Sequence, residues 1–189
     1  MRKIINSTSV SLDGIIDNPG RWSLPYFGDD SAAYATELNV ASDALLMGRR
    51  TYEGFAASWP NMEETEGEFA VRMNAMPKYV VSTTLEKAEW NNTTIIRDNV
   101  VEAVTRLKAE PGNTILLYGF GPLSYTLLDH GLLDEVHFWI HPVLLGAEHR
   151  PEGAGDVLLR QGARANLELV KTTVLASGVV VATYRPATG

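Results

Sequence analysis

The sequence predicts an α/β fold, a three-layer αβα arrangement around a mostly parallel sheet with an antiparallel hairpin at its C-terminal end. Three observations carry this expectation. Short apolar runs suited to strands buried on both faces recur as far as Leu133. Segments with helical spacing stand between them, which is the alternation of a parallel sheet with crossover helices. Two β-rich runs, Leu167–Leu175 and Val179–Tyr184, then flank the turn residues Ala176-Ser177-Gly178.

The elements follow in order. Lys3–Thr8 reads as a first strand, and Ser9–Leu24 as a long irregular flap with the turn cluster Asp17-Asn18-Pro19-Gly20. Ser31–Ala41 has Tyr34, Leu38 and Ala41 on one helical face, with Asp29 and Asp30 before it. Ala44–Met47 is a short strand stopped by Gly48, and a helix follows. Asn61–Glu68 is an acidic run that leads into a short helix over Phe69–Ala75. Lys78–Thr83 and Thr93–Arg97 read as strands. Asn99 with Glu102 resembles a capping box for a helix that Pro111-Gly112 ends. Ile115–Tyr118 is a buried strand, Pro122 opens the next helix, and Glu135–Ile140 is the next strand. Glu148–Gly155 reads as loop. One domain over residues 1–186 is expected, with 187–189 as a tail.

Composition narrows the function. A net charge of −7 in 189 residues argues against general binding of nucleic acid or of a membrane surface. The absence of Cys removes disulfides, thiolate nucleophiles and Cys-based metal sites. The segment MRKIINSTSV lacks the apolar core of a signal peptide, and no apolar run reaches spanning length, so a cytoplasmic protein is expected. His137 and His141, four residues apart on one strand, would stand about 13 Å apart, too far to share a metal. With no HExxH or GxSxG pattern, no metal site and no hydrolase triad are expected.

Two stretches repeat one logic: a buried strand, a glycine, then a helix start. Gly48-Arg49-Arg50-Thr51 adds two arginines that can clamp a phosphate or form a solvated pair. Gly119-Phe120-Gly121-Pro122 offers backbone N–H groups and a positive dipole end, or simply a tight turn. The flap carries Asp13, Trp22, Tyr26 and Phe27, and its aromatics either cover a pocket or tack the loop to the core.

Ala44-Leu-Leu-Met-Gly-Arg-Arg-Thr-Tyr-Glu53, Pro77-Lys-Tyr-Val-Val-Ser-Thr83 and Ile115-Leu-Leu-Tyr-Gly-Phe-Gly-Pro-Leu123 together resemble the cofactor-binding motifs of dihydrofolate reductases. Ser11-Leu-Asp-Gly14, Gly131–Val136 and His141–Gly146 are more narrowly similar to the reductase domain of the bacterial bifunctional riboflavin-biosynthesis protein and its stand-alone relatives. The resemblance implies a dihydrofolate-reductase-like fold and NADPH as hydride donor. It implies that Gly48, Arg49, Arg50 and Thr51 start one phosphate-binding helix. Arg49 or Arg50, with Ser82 or Thr83, would meet the 2′-phosphate. Gly119, Phe120, Gly121, Pro122 and Leu123 would hold the pyrophosphate. Asp13 is the candidate catalytic residue of the flap, and Trp22, Phe27 and Asp30 are candidates for the substrate side. The substrate implied is a small heteroaromatic molecule of the riboflavin-precursor type, as for 5-amino-6-(5-phosphoribosylamino)uracil reductases. The alternatives are dihydrofolate reduction proper and a non-catalytic module that holds a nucleotide or FMN. Phe120 departs from the consecutive glycines of dihydrofolate reductases, and their pterin-holding acid falls near Ala32, leaving Asp29 or Asp30 nearby. A homodimer is expected from the relatives, with Val136–Ile140 as the apolar strand offered for pairing.

Overall fold

The computed structural model describes residues 1–146 and 164–187. The expected loop at Glu148–Gly155 and the last two residues of the tail lie outside them. The chain divides into two compact units, each assembled from separate stretches of sequence.

The first unit comprises Met1–Ile4 and Ala35–Tyr118. Its strands β2 (Ser42–Gly48), β3 (Lys78–Val81), β4 (Thr93–Ile96) and β5 (Thr114–Tyr118) stand in the order β4-β3-β2-β5, all parallel. The helices α2 (Arg49–Ser58), α3 (Glu63–Glu66), α4 (Glu68–Ala75) and α5 (Val100–Ala109) make the crossovers. The continuous apolar reading of β2 has a direct cause: Ala44, Leu45, Leu46 and Met47 are all essentially inaccessible. Leu45, Met47, Tyr52, Met73, Val80, Trp90 and Leu116 form one core cluster. Lys78, at the start of β3, is fully buried within this unit. Its ammonium donates to the carbonyls of Asn74 (2.7 Å), Met76 (2.8 Å) and Asn91 (3.1 Å), and lies 4.3 Å from the Trp90 ring centroid. Lys78 thereby caps the end of α4 from below.

The second unit comprises Ile5–Tyr34 and the chain from Gly119 onward. It holds β1 (Ile4–Ser11), β6 (Glu135–His141), β7 (Leu167–Val174) and β8 (Val180–Pro186), in the order β1-β6-β8-β7. β1 and β6 are parallel, whereas β8 is antiparallel to both β6 and β7. The helix α6 (Pro122–Asp129) belongs to this unit, and α1 (Asp29–Ala41) begins in it. The fold is thus the expected three-layer α/β type, mostly parallel with antiparallel C-terminal strands.

Four sequence expectations need correction. β1 continues to Ser11 because Ser9, Val10 and Ser11 pair with Trp139, Ile140 and His141. β3 stops at Val81 because the Ser82 hydroxyl accepts the N–H groups of Thr84 (3.2 Å) and Leu85 (2.9 Å), turning the chain. The capping box at Asn99 does not form: Asn99 is left-handed (φ 47°) with no side-chain cap, and Glu102 accepts from Arg106 one turn on. Finally, Val136–Ile140 is not a free strand. β6 has β1 on one side and β8 on the other, so both its edges are occupied. In sequence, an apolar central strand and an apolar interface strand look alike. Among the described residues the edge strand of this unit is β7, which exposes Leu169, Val170 and Val174.

Candidate active site

In the first unit, β2 ends at Gly48 and α2 begins at Arg49. Gly48 is extended (φ −78°, ψ 167°), a conformation open to any residue, and a Cβ there would meet nothing within 4 Å. Packing therefore does not require glycine at this position, and open space lies over the first turn of α2. No side chain caps that turn, which leaves the arrangement suited to an anion. Arg49 donates Nε–H to Glu53 Oε1 (2.6 Å) and an Nη1 hydrogen to the Thr84 hydroxyl (2.6 Å). Parallel pairing of Gly48 with Val81 brings residues 82–84 alongside the start of α2. The structure thus joins Arg49 to Thr84, which the sequence reading passed over. Ser82 is buried, with its hydroxyl engaged in the turn, and Thr83 is exposed. Arg50 is exposed beside Arg49, and Thr51 is half-buried. The legible signal for Glu53 was its spacing of four residues from Arg49.

In the second unit, Gly119 is left-handed (φ 80°), which favours glycine. Its carbonyl accepts from Asn6 Nδ2 (2.7 Å) and from the buried Ser124 hydroxyl (3.2 Å), fixing the turn. The peptide bonds of the described chain are all trans, Gly119–Phe120 included. Phe120 is buried, its ring 5.2 Å from Tyr125 and 5.3 Å from Phe138. Its side chain anchors the turn in the core, so only its backbone can meet a ligand. Gly121 is extended, with nothing within 4 Å of a Cβ, and Pro122 opens α6 without a side-chain cap. Leu123 is half-buried in the first turn.

The flap, residues 12–28, contains two 3-10 turns, Pro19–Arg21 and Leu24–Tyr26. Asp13 ties its start to the exit of β6. Its carboxylate accepts from the Ser11 hydroxyl (2.6 Å), Gly146 N–H (2.8 Å) and Leu145 N–H (3.2 Å). These bonds, that from Ser11 foremost, hold its carboxyl below the ordinary Asp range, so it is ionised at neutral pH. Trp22 is buried, donates Nε1–H to the Asp17 carbonyl (2.9 Å), and meets the His141 ring edge-on at 5.2 Å. Tyr26 packs against the same imidazole at 5.7 Å. His141 is buried, and its Nδ1 lies 2.8 Å from the Trp139 carbonyl, which requires a proton on that nitrogen. Burial pushes its pKa below the ordinary histidine value. Phe27 stands 54% exposed on the flap, open to a ligand. Asp30 is engaged: its carboxylate accepts from Ala176 N–H (2.6 Å) and from Ser31 N–H (2.8 Å). Tyr26 and Trp22 thus tack the flap down, one of the two readings their sequence allows; His141 as their partner was not legible, the available signal being a histidine that ends a strand in a protein with an aromatic loop after β1.

Among the described residues no group of His, Asp or Glu is arranged to hold a metal, and no helix is long and apolar enough to cross a membrane. Residues 2–181 match the family model of the RibD C-terminal domain. The chain is 34% identical to the uncharacterized protein YyaP of Bacillus subtilis, over 97% of this chain and 94% of that one. It resembles the solved diaminohydroxyphosphoribosylaminopyrimidine deaminase/5-amino-6-(5-phosphoribosylamino)uracil reductase of Thermotoga maritima, with a TM-score of 0.65 and 17% identity. That likeness covers 98% of this chain but 57% of the Thermotoga chain. Dihydrofolate reductase from Enterococcus faecalis, solved with NADP(H), shares the fold at a TM-score of 0.63 and 16% identity, over 98% and 97% of the two chains.

Proposed function

The chain belongs to the RibD C-terminal domain family, and from that membership we propose that it is an NADPH-dependent reductase of a small heteroaromatic substrate of the riboflavin-precursor type. The observation that carries the cofactor half of this reading is the corner at Arg49. A guanidinium, the Thr84 hydroxyl and an uncapped helix start meet beside a glycine that packing does not require. These groups fit a phosphate monoester such as the 2′-phosphate of NADPH. The backbone N–H groups of Gly121 and Leu123, on either side of Pro122, suit a pyrophosphate in the same terms, as donors at a helix start. The solved dihydrofolate reductase carries NADP(H) on this fold, and the Thermotoga protein bears a uracil-reductase activity in its name; both support the assignment.

Bound NADPH would supply the hydride. The chain's own part is to orient and to exclude water. Phe27 and the half-buried Tyr26 offer aromatic surface for a planar substrate ring, while the buried Trp22 packs with Tyr26 on His141 beneath them. Asp13 holds the flap to the loop after β6 through Gly146 and Leu145, and Asp30 fixes the start of α1 to the β7–β8 turn. Both carboxylates are engaged as acceptors, so in this reading they position rather than donate protons. Of the two acids near the pterin-holding position, Asp30 is engaged and not open to a pterin, which leaves the exposed Asp29 for a folate activity. The protein would act in the cytoplasm as a homodimer, with β7 as the available strand edge; a mass measured in solution that shows only monomer removes the dimer.

The test is a titration of ligand-stripped protein with NADPH, NADH and FMN, read by quenching of Trp fluorescence. Binding of NADPH tighter than that of NADH supports the reading. Binding of FMN with no affinity for NADPH replaces it with a flavin-holding module.

A further inference from the structure

Arg49 stands at the first position of α2, where the helix dipole disfavours a cation. It is held there by two partners, Glu53 on its Nε edge and Thr84 on Nη1, both at 2.6 Å. The Arg49 and Glu53 side chains are each 47% exposed, so the pair contributes little to stability. Its consequence is local. Glu53 already occupies one edge of the guanidinium and cancels its charge at the place where a phosphate would bind.

We propose that Glu53 is a specificity-determining residue that limits the preference of the Arg49 corner for a 2′-phosphorylated nucleotide. This rests on the cofactor reading above. A phosphate dianion arriving at Arg49 must share the guanidinium with a carboxylate and is repelled by it. A ribose 2′-hydroxyl brings no charge and can donate to the same carboxylate. Glu53 therefore opposes the phosphorylated nucleotide, whereas toward the unphosphorylated one it is only an acceptor, a part that a neutral amide oxygen can also play. Thr84, held to Nη1, keeps the guanidinium aimed in either case.

The experiment is calorimetric titration of the full chain with 2′,5′-ADP and with 5′-AMP, for the wild type, Glu53→Gln and Arg49→Ala. Glu53→Gln keeps size and hydrogen-bonding capacity while removing the charge, and a thermal melt checks that the fold is intact. It should tighten 2′,5′-ADP binding about tenfold and change 5′-AMP binding less than about twofold. The gain should shrink as salt is raised, because exposed charges are screened. Weaker 2′,5′-ADP binding by Glu53→Gln would overturn the proposal, showing that the carboxylate serves only to orient Arg49. An equal change for both nucleotides would overturn it as well. Arg49→Ala separates the two levels. If it removes the discrimination between the nucleotides, the cofactor reading stands whatever Glu53 does. If it binds both as the wild type does, the cofactor reading falls and the proposal falls with it.

Discussion

Replacing Asp13 by Asn tests how the flap is held. The carboxylate accepts from Ser11 Oγ (2.6 Å), Gly146 N–H (2.8 Å) and Leu145 N–H (3.2 Å). An amide keeps one neutral acceptor and turns an NH2 group toward donors. Hydrogen bonds to a charged group contribute about 1.5–3 kcal/mol each in buried settings. Asp13 is exposed, so water replaces part of what is lost, and the total is discounted to about 1–2 kcal/mol. Drawn from the closed flap, that lowers its closed-to-open ratio by roughly 5–30-fold and kcat/KM by no more than that factor. The assay is steady-state kinetics across pH. Because Asp13 is held below the ordinary Asp value, it is ionised throughout the neutral range and its contribution fades only as pH falls below that value. Asp13→Asn should therefore lower kcat/KM without removing either limb of the pH profile. Loss of a limb, or a fall beyond roughly a thousandfold, would assign Asp13 a chemical role and refute the reasoning.

Other outcomes follow from buried charge. Lys78→Met would strip three carbonyls of their donor and should cost about 1–3 kcal/mol in urea unfolding, the relief of a buried charge offsetting part of the loss. Burial lowers the Lys78 pKa from 10.5 to about 8, so the unfolded chain binds more protons between those values. Wild-type stability should accordingly gain on the variant as pH rises from about 8 toward 10. His137 and His141 are both held below the ordinary histidine value of 6.5 by burial. Stability should fall as pH drops through and below that value, and His141→Gln should flatten the slope of the urea midpoint against pH.

Much of the fold was legible because buried parallel strands leave apolar runs. Ala44–Met47 and Ile115–Leu117 are inaccessible on both faces, and runs this short, each ended by a glycine turn, suit a central strand better than a buried helix. The glycine turns were legible for a related reason: Gly119 needs its left-handed φ, and Gly48 and Gly121 keep open space. The hydroxyl that meets Arg49 was not legible. Ser82, Thr83 and Thr84 are alike in sequence, and only the turn closed by Ser82 decides that Thr84 faces the guanidinium. Phe120 read as part of a ligand turn, yet its ring is spent on Tyr125 and Phe138, contacts that no local pattern encodes. The roles of Asp13 and Asp30 depend on Gly146 and Ala176, more than 130 residues away in the chain. That Val136–Ile140 is a central strand and not one offered to a partner was not legible, because strand order, unlike strand content, is set by pairing across the whole unit.

The central claim, a reductase that draws on NADPH, is tested most directly by mixing the protein with NADPH and the oxidised pyrimidine ribosylamine substrate and following loss of the reduced nicotinamide absorbance. Substrate-dependent oxidation of NADPH is expected, faster than that of NADH and absent with dihydrofolate. Tight binding of NADPH with no oxidation by pyrimidine or pteridine acceptors would contradict it and leave a nucleotide-holding module on the same fold.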